Sequence, residues 1–448
     1  MSAEQLLDES APATAPKPSP LMHRIRGRVL LLLCALYAIL YFDRVNISTA
    51  GPHGLVGDLH LSTFQFGLAA SAFALPYGIL QAVGGLAGDR FGARRALGVI
   101  AALCGLFTIL TGVVSSLVML LAVRFLLGLS EGAAFATATH AMSAWLPKDR
   151  RGFGQGVVHA ASRLSNALAP LIVAGLISLP HVGWRGSFIV AGLAGTAWAV
   201  VWWRYFRDRP RDHPDVGHRE LEELHDTADG AAVRRPPPWR PLIRRMAPVT
   251  VTDFCYGWVL WVYLTWMPSF FSSHFGLALG ASAVFTSITL SGGFVGDWLG
   301  GLLSDALLRR TSSLGRARKA GLLIGLIGSA VFLLPVLIVH NVVGVTACLT
   351  VAFLFLELCN APLWTIPMDV APEHSGVASG LVNTGFGVAG VIAAPVFGLL
   401  AGAFGYPVAL AFSAVLLAVG VVSVRFIKTS QLIVVPGVAK SAPDEAPA

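Results

Sequence analysis

The stretch Tyr41-Phe-Asp43-Arg44-Val-Asn46 places an acid and a base side by side inside a segment made otherwise of apolar residues. The segment around it, residues 29–50, is close to the ~20 residues that a membrane-spanning helix needs. An ionised side chain at the bilayer centre costs roughly 2.5–3.5 kcal/mol even on the insertion scale, so such residues usually face a water-filled cavity. The stretch therefore predicts a membrane helix that lines a polar pathway.

The composition also indicates an integral membrane protein. Of the 448 residues, 55% are hydrophobic and only 12% are charged, whereas soluble domains have about 25% charged residues. The net charge of +8 does not indicate a nucleic-acid partner, because the basic residues lie in short clusters between apolar segments. The five cysteines lie in apolar stretches without paired spacing, so we expect neither disulfides nor a metal site. The isolated residues His140, His159 and His340 are also expected to be structural.

Twelve apolar segments of suitable length predict an all-α integral membrane protein with twelve transmembrane helices in two six-helix bundles. We number the segments spans 1 to 12; they cover residues 29–50, 63–86, 96–115, 117–146, 153–179, 187–206, 247–272, 281–304, 319–340, 343–368, 376–402 and 407–427. A charged, proline-rich stretch separates spans 6 and 7. The predicted domains are a disordered cytoplasmic tail (1–28), an N-terminal bundle (29–206), a cytoplasmic linker (207–246), a C-terminal bundle (247–427) and a cytoplasmic tail (428–448).

The distribution of basic residues predicts the orientation. Among the 32 lysines and arginines, Arg44, Arg124 and Arg163 lie within spans, and Arg185 lies in a loop on the far side. All the others lie in the tails or in loops on the same side as the N-terminus. Because loops rich in lysine and arginine stay in the cytoplasm, both termini are predicted to be cytoplasmic in a multi-pass protein of the cell inner (plasma) membrane.

A weak internal repeat supports two equivalent halves. Span 2 is followed by Gly85-Leu-Ala-Gly-Asp89-Arg90-Phe-Gly92-Ala-Arg94-Arg95, and span 8 ends with Gly301-Leu-Leu-Ser-Asp305-Ala-Leu-Leu-Arg309-Arg310. Each copy has a glycine, an aspartate four residues later, and then basic residues. Repeats of this kind relate two membrane bundles by an axis along the membrane normal. We predict a gating role at the cytoplasmic side for Asp89, Arg90, Arg94 and Asp305.

Five stretches in order resemble the major facilitator superfamily and, within it, the anion:cation symporter family, which includes bacterial carriers of galactonate, hexuronates, glucarate, tartrate and phthalate. They are 41–46 in span 1, 124–132 in span 4, 204–214 after span 6, 260–268 in span 7 and 369–387 around span 11. The second loop copy departs from the pattern, because Leu308 stands where the first copy has Gly92.

The resemblance implies roles for particular residues. Asp43 and Glu131 match the two carboxylates that exchange protons, and Arg44 matches the arginine that meets the substrate carboxylate. Five further positions match residues that face the substrate cavity of the family: Tyr41, Tyr77, Trp364, Thr365 and Asn383.

The depths of the charged residues lead to related predictions. With a rise of 1.5 Å per residue, Asp43 and Arg124 lie at overlapping depths and are predicted to pair if spans 1 and 4 are neighbours, as the resemblance implies. Glu131 lies two turns from Arg124 on the same face, and Arg163 reaches a similar depth. Three buried arginines suit an anionic substrate, because a guanidinium binds a carboxylate through two parallel hydrogen bonds. We therefore place Arg163 with Arg44 in the substrate site and Arg124 with the proton-coupling carboxylates.

The second half offers fewer charges. Asp253 and Asp297 are predicted near the cytoplasmic ends of spans 7 and 8, with Asp297 joining Asp305 and neighbouring arginines in a cytoplasmic cluster that is structural or gating. Glu357 lies deeper in span 10 and is left without an assigned role, although a second proton site there stays open.

Together these observations predict a secondary transporter that imports a small organic carboxylate, such as a sugar acid, by proton symport through alternating access. Its partners would be the organic anion, protons and the lipid bilayer, with no cofactor, metal or nucleic acid, and it is expected to act as a monomer. Anion exchange, uniport and export, and an aromatic carboxylate as substrate, remain alternatives. An enzyme is disfavoured because the loops predicted outside are short and the linker carries no phosphate-binding or nucleophile motif.

Overall fold

The computed structural model describes residues 20–83, 90–147, 150–217, 237–311, 313–371 and 374–429, without the side chains of residues 82, 83, 152 and 305. These ranges are helical and contain no strand. Eleven helices within them are long and apolar enough to cross a membrane. The remaining span, Trp239–Ser269, has 31 residues and is long enough to cross a membrane, but it is not one of the eleven. This architecture confirms the predicted all-α membrane fold.

The helices follow the predicted order of spans. In the first half, spans 1 to 6 are Pro20–Ala50, Thr63–Val83, Ala93–Thr111, Leu117–Glu131 with Ala134–Trp145, Arg151–Ser178 and Gly183–Tyr205. In the second half, spans 7 to 12 are Trp239–Ser269, Leu279–Thr311, Leu314–Leu333, Val342–Glu357 with Asn360–Val370, Ser375–Phe404 and Tyr406–Val424.

Spans 4 and 10 share a break that the sequence analysis did not predict. Each begins at a capping residue, Ser116 or Asn341, whose side-chain oxygen accepts a hydrogen bond from a backbone N–H three residues later. The first helical segment of each then ends at a glutamate, Glu131 or Glu357. Because spans 4 and 10 occupy the same place in the two halves, the two glutamates lie at equivalent positions.

Contacts between the halves enclose the middle of the protein. Span 2 packs along span 11, span 5 packs along span 8, and span 1 contacts span 7. Within the halves, span 1 packs on span 5 and span 2 on span 4, while span 8 packs on span 10 and span 7 on span 12. Spans 1, 2, 4 and 5 therefore face spans 7, 8, 10 and 11 across the interface between the halves.

The ends of spans 2 and 11 that are predicted to lie outside approach each other backbone to backbone. A Cβ added at Gly67 would lie 2.6 Å from the carbonyl oxygen of Ala394, and one added at Gly398 would lie 2.7 Å from that of Thr63. The hydroxyl of Ser71 donates a hydrogen bond of 2.5 Å to the carbonyl of Val391. These contacts close the predicted outer side, and only glycine permits them.

Substituting Gly67→Ala should therefore hinder closure of that side. Overpacking of this kind costs roughly 1–3 kcal/mol, which corresponds to a roughly 5- to 140-fold shift of the equilibrium away from the closed state. We expect a cysteine introduced near the predicted outer end of span 2 to react faster with an impermeant maleimide. The matched control is Gly175→Ala in span 5, where an added Cβ meets nothing within 4 Å. Equal labelling rates in both variants would contradict the proposed closure.

Candidate transport site

A cavity lies between the two halves. Spans 1, 2, 4 and 5 provide one wall and spans 7, 10 and 11 provide the other. Its lining comprises Tyr41, Arg44, Tyr77, Gln81, Phe135, His159, Arg163, Asp253, Tyr256, Leu260, Asn360, Trp364, Asn383 and Phe386. The cavity thus combines aromatic rings with two arginines.

Arg44 forms a buried ion pair with Glu131. Its Nε and Nη2 atoms both donate hydrogen bonds to Oε1 of Glu131, the first of them at 3.0 Å. The carbon at the centre of the guanidinium lies 4.4 Å from the ring centroids of Tyr41 and of Tyr77, within the range of a cation–π interaction. The Oε2 atom of Glu131 is buried and has no hydrogen-bond partner among the described residues. Arg44 is therefore held between two aromatic rings by one carboxylate oxygen.

The predicted ion pair between Asp43 and Arg124 is not formed among the described residues. Asp43 accepts a hydrogen bond of 2.7 Å from the hydroxyl of Thr108 in span 3. The Arg124 guanidinium instead lies 4.8 Å from the ring centroid of Phe73. Adjacent residues of a helix point about 100° apart because a turn contains 3.6 residues. Since Arg44 faces span 4, Asp43 is turned toward span 3.

A second buried ion pair joins the two halves. Nη2 of Arg163, in span 5, lies 2.9 Å from Oε2 of Glu357, in span 10. The Tyr256 hydroxyl donates a hydrogen bond of 3.0 Å to the same oxygen and accepts one of 3.2 Å from Arg163. Asp297 of span 8 lies 3.9 Å from Nε of Arg163. The second half therefore supplies the negative partners of an arginine from the first half.

The prediction that Asp297 joins a cytoplasmic charge cluster is thus wrong. The carboxylate of Asp297 lies near Arg163 and accepts a hydrogen bond of 2.6 Å from Asn360. Span 8 continues to Thr311, about four helical turns beyond Asp297, so this residue lies far from the end of its helix. Asp253 also lines the cavity and accepts a hydrogen bond of 3.1 Å from the backbone N–H of Phe386.

Most of the predicted substrate-binding residues surround the cavity. Tyr41, Arg44, Tyr77, Arg163, Trp364 and Asn383 all line it. Thr365 does not; its hydroxyl donates a hydrogen bond of 2.9 Å to the carbonyl of Ala361 in its own helix.

Two contacts across the cavity join the halves. Asn383 donates a hydrogen bond to the side chain of Gln81, and Trp364 stacks on Phe135 with ring centroids 6.1 Å apart. The sequence analysis missed Gln81 and Phe135 as site residues, and it treated His159 as structural although this residue lines the cavity. Side chains of these types are common in membrane helices, so no pattern distinguished them.

The predicted gating residues are only partly described. Asp89 and the side chain of Asp305 lie outside the described residues. Arg90 is exposed, whereas the backbone N–H of Arg94 donates a hydrogen bond of 2.8 Å to Asp208. The Arg94 guanidinium also donates to the carbonyl of Trp203 at 2.7 Å and 3.0 Å. Arg94 thus joins the start of span 3 to the end of span 6, and the gating role stays a prediction.

Comparisons of the sequence with known proteins identify the family to which the chain belongs. Residues 33–394 match the model of the Major Facilitator Superfamily. The chain is 43% identical over 408 residues to the probable sulfoacetate transporter of Cupriavidus necator, covering 90% of this chain and 94% of that protein. It is 30% identical over 380 residues to the hexuronate transporter of Bacillus subtilis, with coverage of 83% and 87%. It is 28% identical over 420 residues to a probable galactarate/D-glucarate transporter of Escherichia coli, with coverage of 88% and 90%.

A solved structure supports the same architecture. A bacterial homologue of the human lysosomal transporter Spinster, in an inward-facing and unoccupied conformation, superposes with a TM-score of 0.75 and covers 90% of this chain and 97% of its own. Its sequence identity of 15% supports the fold alone. The match over 33–394 and the similarity to transporters along most of the chain show that this protein belongs to the Major Facilitator Superfamily and is a membrane transporter, not an enzyme.

Proposed function

We propose that this transporter imports a small organic carboxylate, a sugar acid or a related organic anion, by proton symport through alternating access. The relatives named above are transporters, or probable transporters, of small organic anions. The observation that carries the proposal is the ion pair between Arg44 and Glu131 on the wall of a cavity between the two halves.

The pair supplies a physical basis for coupling. Arg44 keeps its charge at all relevant pH values and presents a fork that matches a carboxylate. While Glu131 is ionised, it occupies that fork. Protonation of Glu131 removes its charge and frees Arg44 for the carboxylate of the substrate. Once the substrate leaves, loss of the proton lets Glu131 bind Arg44 again, so the proton and the anion travel together.

Neighbouring residues support this exchange. The rings of Tyr41 and Tyr77 hold the guanidinium of Arg44 from two sides, and their hydroxyls could contact the hydroxyl groups of a sugar acid. Asp43 is buried close to this pair and is the second candidate proton carrier. The guanidinium of Arg124 adds positive charge nearby, which favours an anion in the cavity.

Alternating access would use the contacts that close the cavity. The Gly67 approach closes the predicted outer side. The hydrogen bond between Gln81 and Asn383 and the stack of Phe135 on Trp364 join the halves around the cavity. Breaking the latter contacts would open the predicted cytoplasmic side, with Arg90 and Arg94 in gating roles at its loops.

The proposal can be tested by recording external pH in weakly buffered, deenergised cells that overproduce the protein. Aldonates, uronates, aldarates, sulfoacetate, tartrate, benzoates and phthalate would be added one at a time. Proton symport predicts alkalinisation with at least one acid and none in vector controls. If counterflow exchange shows transport of an acid that causes no alkalinisation, the mode is exchange or uniport and the symport proposal is wrong. The response to benzoates tests the aromatic alternative.

Glu131→Gln should separate binding from coupling. Glutamine keeps the shape and can accept a hydrogen bond from Arg44, but it cannot carry a proton. We expect the rate of counterflow exchange to stay within about threefold of the wild-type rate. A pH gradient should no longer raise the internal substrate concentration above the external one. The control is Asp58→Asn, where the carboxylate only accepts a hydrogen bond of 2.8 Å from Trp184. Accumulation by Glu131→Gln at the wild-type level would refute this coupling role.

Arg44→Ala should abolish substrate binding, since it removes the fork that receives the carboxylate. Arg44→Lys keeps the charge and a partner for Glu131 but loses the two parallel hydrogen bonds. We expect the half-saturation concentration of Arg44→Lys, measured in proteoliposomes, to be at least tenfold higher than that of the wild type. Arg309→Lys, at an exposed position near the end of span 8, is the matched control. Near-normal affinity in Arg44→Ala would exclude Arg44 as the substrate arginine.

A further inference from the structure

The ion pair between Arg163 and Glu357 has no part in the mechanism described so far. It lies in the same cavity as Arg44, and both of its members are buried. Placing a charged pair away from water carries a desolvation cost that its mutual attraction often fails to offset. A helix contact could be made at lower cost by apolar side chains, so this pair needs an explanation beyond packing.

The pair repeats the arrangement of Arg44 and Glu131. Glu131 and Glu357 end equivalent helical segments in spans 4 and 10, and each binds an arginine that lines the cavity. In each glutamate one carboxylate oxygen is buried without a hydrogen-bond partner among the described residues. One oxygen of Glu131 therefore holds Arg44, and one oxygen of Glu357 holds Arg163, which also contacts Tyr256 and Asp297. An incoming anion can take the place of the glutamate oxygen in either pair.

From this repetition we infer that the substrate is a short dianion whose two anionic groups bind Arg44 and Arg163, the two arginines that line the cavity. The inference rests on the proposed function and specifies its substrate class. A dicarboxylate and a carboxylate with a sulfonate share the necessary chemistry, because both present two anionic groups with several acceptor oxygens. A monoanion would replace only one of the two glutamates.

The position of the second pair adds a reason for two anionic groups. Arg163 belongs to the first half of the chain, whereas Glu357, Tyr256 and Asp297 belong to the second. An anion that takes Arg163 from Glu357 removes an ion pair between the halves. A dianion would therefore bind and loosen the interface in one event, whereas a monoanion on Arg44 would leave the Arg163–Glu357 pair intact.

Matched pairs of probes test the substrate class. Sulfoacetate is compared with 2-hydroxyethanesulfonate, malonate with 3-hydroxypropanoate, and galactarate with galactonate; each pair differs in one carboxylate. Half-saturation concentrations are measured in proteoliposomes that contain the full chain. At least one dianion should bind tenfold or more tightly than its monoanionic partner. Transport of the monoanions with equal or better affinity would overturn the inference while leaving the proposed function intact, whereas no transport of any organic anion would refute the proposed function itself.

A double variant tests whether the preference for the dianion depends on the pair of Arg163 and Glu357. Arg163→Gln with Glu357→Gln removes both charges of the ion pair together, and Asp297 keeps its hydrogen bond from Asn360. We expect the dianion to fall to the affinity of its monoanionic partner, with the monoanion changed less than twofold. A preference that survives in the double variant, or an equal loss for both probes, would overturn the role of Arg163. If the double variant fails to insert, the comparison of probes on the wild-type protein still decides the substrate class.

Discussion

The structure depends on two arginines that line a cavity at membrane depth. An arginine there cannot become neutral, so a carboxylate or an anion stabilises its charge. Arg44 and Arg163 each receive a glutamate, and both arginines line one cavity. Under the proposed mechanism the substrate takes the place of a glutamate, and a proton neutralises the glutamate that it displaces. Binding of the anion and uptake of the proton then follow from a single requirement, that each of these two arginines keeps an anionic partner.

The breaks in spans 4 and 10 provide the geometry for this exchange. Glu131 and Glu357 each stand at the last residue of a helical segment, where the regular backbone hydrogen bonds end. In span 4 the break is followed by Gly132, where an added Cβ would lie 2.7 Å from the side chain of Leu80 in span 2. Close packing thus coincides with the break at the residue that holds Arg44. The residues that follow the two glutamates keep right-handed helical backbone angles, so each break interrupts the hydrogen-bond pattern without ending the span.

The sequence was sufficient for the fold and for six of the fourteen residues that line the cavity, because long apolar segments and the rare charges within them are strong local signals. It was not sufficient for the pairing. The depths of Asp43 and Arg124 were compatible, but depth leaves the rotation of a helix undetermined, and the structure turns Asp43 toward Thr108. Asp297 was misplaced because its distance from the end of span 8 was underestimated. Glu357 ends a helical segment in span 10 as Glu131 does in span 4, but the spacing of the loop repeat does not align the two glutamates.

The two ion pairs differ in one respect that separates their tasks. Arg44 and Glu131 both belong to the first half, so their relative position is unchanged when one half rocks against the other. Arg163 and Glu357 belong to different halves, so a movement that separates spans 5 and 10 must break their pair. Under the proposed mechanism the first pair can hold or release an anion in any conformation, and protonation of Glu131 decides which. The second pair can exchange its partner only together with a conformational change. A substrate that engages both would link occupancy of the cavity to movement of the halves, which is the condition that a coupled carrier must satisfy to avoid moving protons alone.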